Sequence, residues 1–161
     1  MKQLRILMGG TMFLTLLVSA FSFAPPPGPS ANGQGKLQLS YMNGETATFS
    51  FHASKDAAGN VSGSWEARSP GQDCRQHGTI TCLTVLPDGK TAIMSGEVTK
   101  SDGTCLGYGA GTPIWFRVVD NGEGSNAAPD TFTDYYFFAG NCGNFGVTNH
   151  PITGGNIQVK P

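Results

Sequence analysis

The chain has 161 residues, ten of them Lys or Arg and eleven Asp or Glu, for a net charge of −1. Charged residues make up only 13%, beside 23 glycines and 10 prolines. This balance excludes the basic footprint of a nucleic-acid binder, and the length allows one sizeable core.

Met1-Lys-Gln-Leu-Arg5 is a short positive head, and Ile6 to Phe23 is apolar with small or hydroxyl interruptions. Small residues close it at Val18-Ser-Ala20 and Ser22-Phe-Ala24. That layout predicts a signal peptide over residues 1–24, cut after Ala20 or Ala24, and hence a secreted or periplasmic protein. The competing reading is a retained anchor, since a span needs about 20 apolar residues. Gly9, Gly10, Thr11, Thr15, Ser19 and Ser22 weigh against it. Losing Lys2 and Arg5 with the leader leaves eight basic and eleven acidic residues, a net charge of −3. Residues 25–33, rich in proline and glycine, read as a stiff solvated linker. Residues 34–161 then form one domain.

Within that domain, strand signals recur at short spacing. Leu37, Leu39 and Tyr41 alternate with polar residues up to Asn43-Gly44, a hairpin dipeptide in which both residues tolerate positive φ. Ala47, Phe49, Phe51 and Ala53 alternate next, and after the turn at 56–60 so do Val61, Gly63, Trp65 and Ala67. One dry and one wet face is the mark of half-buried antiparallel strands. Residues 79–86 and 91–99 form a hairpin across Pro87-Asp-Gly89. Residues 112–119 and 131–138 form another across a polar loop, and 155–159 close the chain. The fold class expected is all-β: a small antiparallel barrel or sandwich of about eight strands, mostly hairpin-linked.

Four cysteines in an exported domain imply two disulfides. Extrapolating the 112–119/131–138 hairpin brings Cys105 towards Cys142, which leaves Cys74 for Cys82. A sharper alternative is zinc on Cys74, His77 and Cys82 with Asp73, since zinc takes Cys and His ligands. An oxidising compartment favours the bridges.

The loop from Asp120 to Asp130 gathers Asp120, Glu123 and Asp130 among amides and glycines. Calcium takes six to eight oxygens of this kind, although the order is not that of an EF-hand. The plainer reading is a long hairpin loop whose aspartates cap strand ends. Aromatics at alternate strand positions read first as core or interface; Trp115 and Tyr135, off the core phase if Phe116 and Phe138 point inwards, are the candidates for an exposed ligand surface that takes a sugar ring, an apolar body or a protein partner. Trp65 is expected in the core. Catalytic motifs are thin. There is no G-x-S-x-G, H-E-x-x-H or phosphate loop, and the three histidines are scattered. Glu66 with Glu97 is the carboxylate pair that a glycosidase reading would need.

Several stretches resemble a widespread family of uncharacterised exported bacterial β-domains. They are Gly33-Gln-Gly35, Phe49-Ser-Phe51-His-Ala53, His77-Gly-Thr-Ile-Thr-Cys82-Leu-Thr-Val85, Phe116-Arg-Val-Val-Asp120-Asn-Gly-Glu123-Gly124, Asp130-Thr-Phe132 and Gly154-Gly-Asn-Ile157-Gln-Val159. The resemblance implies export and a compact β-fold. It supplies no reaction, and it marks Cys105 and Cys142 as local additions. The function expected is a non-enzymatic, surface-binding or structural module of the envelope or medium. Its partner would be a protein, a glycan or an envelope component, not nucleic acid. The alternatives are a carrier of an apolar ligand inside the barrel, and a hydrolase.

Overall fold

The computed structural model describes residues 28–38, 45–105, 108–124 and 126–161. The expected signal peptide, the start of the linker and the Asn43-Gly44 turn lie outside these residues. Among the described residues, nine antiparallel strands form one strongly curled half-barrel sheet. They are β1 (Ser30–Gln38), β2 (Thr46–Lys55), β3 (Val61–Ser69), β4 (Cys74–Val85), β5 (Thr91–Gly103), β6 (Pro113–Val119), β7 (Thr131–Phe132), β8 (His150–Pro151) and β9 (Gly154–Lys160). A 3-10 turn at Pro70–Gln72 joins β3 to β4. The meander runs in chain order from β1 to β8, and β9 returns to pair with β1.

Strand β1 begins at Ser30, so the end of the expected linker is sheet. Ala31 is fully buried and Gly33 pairs with Phe51. Small and polar residues concealed this strand. Glycine is needed there because a Cβ on Gly33 would lie 2.8 Å from the Phe51 ring. The same fit recurs at Gly35, whose missing Cβ makes room for Phe49.

Alternation places Phe49, Phe51 and Trp65 on the concave face, as the sequence predicts, with Phe116, Phe132 and Tyr135 opposite them across the curl. Phe49 stacks on Phe132 at 4.4 Å, and Phe116 meets Phe51 edge-on at 5.5 Å. These rings fill the interior.

The curl is completed by side chains. Among alternate residues of β9, Ile157 donates its N–H to Asp130 Oδ2 at 2.7 Å and Val159 donates to Asp120 Oδ2 at 3.0 Å. The 120–130 loop thereby satisfies an edge that would otherwise stand unpaired.

The strand expected over 131–138 breaks after Phe132. Thr133 still donates its N–H to Arg117 O, but the next bridge is Trp115 with Tyr136, one residue out of step. The extra residue is absorbed around Asp134, whose φ is +75°. Inserting one residue exchanges the two faces of everything beyond it.

Both disulfides differ from the expected pairing: Cys74 bonds Cys105, and Cys82 bonds Cys142. The β4–β5 hairpin is longer than its apolar stretch, and its register sets Cys74 opposite Gly103. That brings Cys105 to the start of β4. Cys82 lies opposite Ser95, and the chain beyond Phe138 folds back over this outer face, where Cys142 N–H donates to Ser95 Oγ at 2.9 Å. With all four cysteines bridged, the domain suits an oxidising, extracytoplasmic compartment.

Candidate ligand-binding cleft

One end of the half-barrel collects the last residues of β1 and β3 and the first residues of β2 and β4. A cleft of about 320 Å³ opens there. Leu37, Ala47, Phe49, Ala67 and Phe132 form its floor, and the Cys74–Cys105 disulfide forms one wall. Tyr108 and Phe137 close another side as a stacked pair, with centroids 3.9 Å apart and planes within 6°. Tyr108 is 38% exposed. Gln76, only 4% exposed, donates from Nε2 to Tyr108 O at 2.8 Å and so fixes the Tyr108 backbone over the opening. Thr48, Ser69, Gln72 and Asp134 supply the polar part of the lining.

Asp134 accepts the Tyr135 N–H at 2.8 Å. Tyr135 packs on Trp65 at 4.6 Å, and its hydroxyl donates to Glu66 O at 3.2 Å. Burial, reinforced by the negative charges of Asp134 and Glu66, pushes its phenol well above the usual range, so the ring acts as a neutral donor.

The two aromatics expected as an exposed ligand surface are both buried: Trp115 is 0% and Tyr135 8% exposed. The extra residue at Asp134 turns Tyr135 inwards and Tyr136 outwards. Trp115 does point away from the interior, but residues 136–149 cover it. Phe138 lies against its outer face at 5.7 Å instead of entering the core, and Phe145 meets it at 5.4 Å. The Trp115 indole N–H donates to Gly143 O at 2.9 Å. Beside it, Arg117 donates to Asn149 Oδ1, Asn144 Oδ1, Phe145 O and Val147 O. The guanidinium is thus the hub that holds an irregular segment onto the sheet.

The carboxylates of the 120–130 loop are engaged with the protein. Besides its contact to β9, Asp130 accepts the Asn121 N–H at 2.8 Å and is 6% exposed. Asp120 accepts from Gly122 N–H, and Glu123 from the Asn156 amide. Among the described residues no cluster of three His, Cys, Asp or Glu is arranged to hold a metal ion. The cysteines of the zinc alternative belong to two different disulfides. His77 sits within β4 at a bulge, its Nδ1 3.6 Å from Glu66 Oε2.

The outer face of β2–β4 does bring together residues that are scattered in sequence. Ser64 Oγ lies 3.2 Å from His52 Nδ1, and Arg75 pairs with Glu66 at 2.9 Å. Glu66 therefore serves Arg75 and faces His77, one register step away from the Ser64–His52 contact. Glu97 lies opposite Thr79 while Glu66 lies opposite His77, so the pair needed by a glycosidase is two strands apart and out of register. Sequence reasoning missed the cleft because no single segment carries it. The available signal was Tyr108, an aromatic in a glycine-rich joint.

No family model, no curated protein and no solved structure matches the chain.

Proposed function

We propose that this is an exported, non-catalytic module that binds a small ligand with an apolar body in its end cleft. One observation carries the reading: an apolar recess with a few convergent polar groups, open at the end of an otherwise filled half-barrel. The packed interior weighs against a carrier with its ligand inside the barrel, and moves the site to the mouth. The two disulfides and the positive, apolar leader sequence support export. Against catalysis, no carboxylate among the described residues pairs with His52 to orient its ring beside Ser64.

The test is uptake of 1-N-phenylnaphthylamine, an apolar fluorophore that brightens out of water. The wild-type protein is expected to take it up. Ala47→Trp, which fills the recess from a half-buried position, is expected to weaken uptake at least about tenfold while the fold is kept. Absent uptake, or uptake unchanged in a folded Ala47→Trp variant, overturns the reading.

A further inference from the structure

We propose that the outer face of the sheet, from β9 through β1, β2 and β3 to β4, docks an acidic polysaccharide, a chain of sugars that bear carboxylate groups. This surface is separate from the end cleft, and the inference does not rest on the cleft.

Charge is segregated in this molecule. The outer face of these strands and the adjoining end of β5 carry Lys36, Arg68, Arg75, Lys100 and Lys160 against Glu66, Glu97 and Asp102, a net charge of +2. The rest of the chain beyond the leader holds three basic and eight acidic residues, a net charge of −5. A positive face on an acidic protein draws an anionic partner and orients its approach.

Two of these cations are unspent. Lys36, Thr48, Arg68 and Arg75 stand directly opposite one another on four successive strands, each about 4.8 Å from the next. Arg75 donates to Glu66 at 2.9 Å, and Lys100 pairs with Asp102 at 2.7 Å. The Lys36 and Arg68 side chains are exposed and have no ion pair or hydrogen bond among the described residues. Arg68 moreover faces Arg75 across the β3–β4 ladder, where like charges repel. A bound carboxylate would relieve that repulsion.

The surrounding chemistry identifies the partner. From β9 to Thr79 in β4 the outer face has no apolar side chain. A protein partner needs apolar or aromatic anchors, and a membrane needs an apolar face to receive; this surface offers neither. It offers hydroxyls and amides, which match sugar hydroxyls because both kinds of group donate or accept. A depression of about 510 Å³ is lined in part by Gln34, Lys36, Thr48 and Thr153, and one of about 390 Å³ in part by His52, Ser64, His77 and Thr79. The two adjoin at Ser50 and Glu66, so a polar path crosses the strands. The one acid along it, Glu66, has its charge met by Arg75.

The test is a binding isotherm of the disulfide-intact protein on beads bearing polygalacturonate, with dextran beads for comparison. Saturable binding to polygalacturonate is expected, none to dextran, and release in about 1 M sodium chloride. Arg68→Glu should weaken binding at least about tenfold. Its new carboxylate faces Arg75 with opposite charge, which favours the fold. Lys90→Glu, the same change in net charge placed in the β4–β5 turn, should leave the isotherm unchanged. If Arg68→Glu does not fold, Lys36→Gln serves in its place and should also weaken binding. No saturable binding, equal binding to dextran, or an equal loss in Lys90→Glu overturns the inference. Binding to phosphatidylglycerol vesicles but not to polygalacturonate would make the partner a membrane and overturn it as well.

Discussion

The aromatic cluster inside the curl and the aromatic cap outside it are built from the same residue types by opposite means. Inside, Phe49, Phe51, Trp65, Phe116 and Phe132 come from strands whose backbone is largely paired in ladders, and Tyr135 joins them from just beyond β7. Outside, Trp115, Phe138 and Phe145 are brought together by a segment without regular structure. Its carbonyls are satisfied by the Trp115 indole and the Arg117 guanidinium, and it is tied down by Cys82–Cys142. The inner cluster is therefore secured by topology and the outer one by a handful of side chains. The difference teaches that burial alone does not identify a core: Trp115 is as buried as Phe116, yet its cover is removable in principle.

This contrast orders the expected effects of substitution. Phe116→Ala deletes a ring that touches Phe51, Phe132 and Tyr135, and should cost about 3–5 kcal/mol in denaturant unfolding. Loss of the inner cluster should unfold both regions together. Replacing Cys82 and Cys142 by serine should cost about 2–4 kcal/mol, since the bridge closes a long loop. Here the two regions should separate. The 139–149 segment should become cleavable by protease, and Trp115 emission should shift to the red, before the sheet unfolds. A single cooperative transition in that variant would show the two clusters to be one unit. Arg117→Met keeps the aliphatic stem but removes all the donors, leaving carbonyls unsatisfied; about 1–3 kcal/mol is expected, with the same local signature. Arg117→Lys should rescue little, because an ammonium cannot reproduce the fork.

The smallest effect lies in the β4–β5 turn, remote from both clusters. Asp88 accepts from the Thr91 hydroxyl at 2.6 Å and from the Lys90 and Thr91 amides, with the hydroxyl bond foremost in holding its carboxyl below the usual range. A depressed carboxylate contributes stability that is present above its unfolded value, 3.8, and is lost as pH falls through the folded one. Asp88→Asn should lower stability at neutral pH by less than about 1 kcal/mol, as for a lost cap, and should flatten the acid limb of the pH–stability curve.

How far the sequence was legible follows the same divide. Strict alternation in β2 and β3 revealed the strands and their inner face, because a period of two has one meaning when one face is wet. The phase of Tyr135 was not legible, since one extra residue around Asp134 reverses the faces and leaves no compositional mark except an aspartate able to take positive φ. The disulfides show the limits of extrapolating register. The tight Pro87-Asp-Gly89 turn, carried back along both strands, leads from Cys74 to Cys105. The eleven-residue loop between β6 and β7, used instead, gave the wrong pairing because the extra residue around Asp134, just past β7, breaks the count. Ser30 to Gly33 hid a strand for a different reason: the residues are small or polar, and what Gly33 contributes is the space it leaves for Phe51. The candidate cleft left only Tyr108 as a trace in the sequence, being assembled from four strand ends, Tyr108 and the returning 132–137 segment.

The central claim, that ligand enters the end cleft, is tested most directly by mapping backbone amide shifts during titration with the apolar fluorophore. Shifts are expected at Ala47, Ala67, Gln76 and Phe137, with the Trp115 indole and residues 140–149 unmoved. Shifts confined to the outer cap, or no saturable shift anywhere, would contradict it.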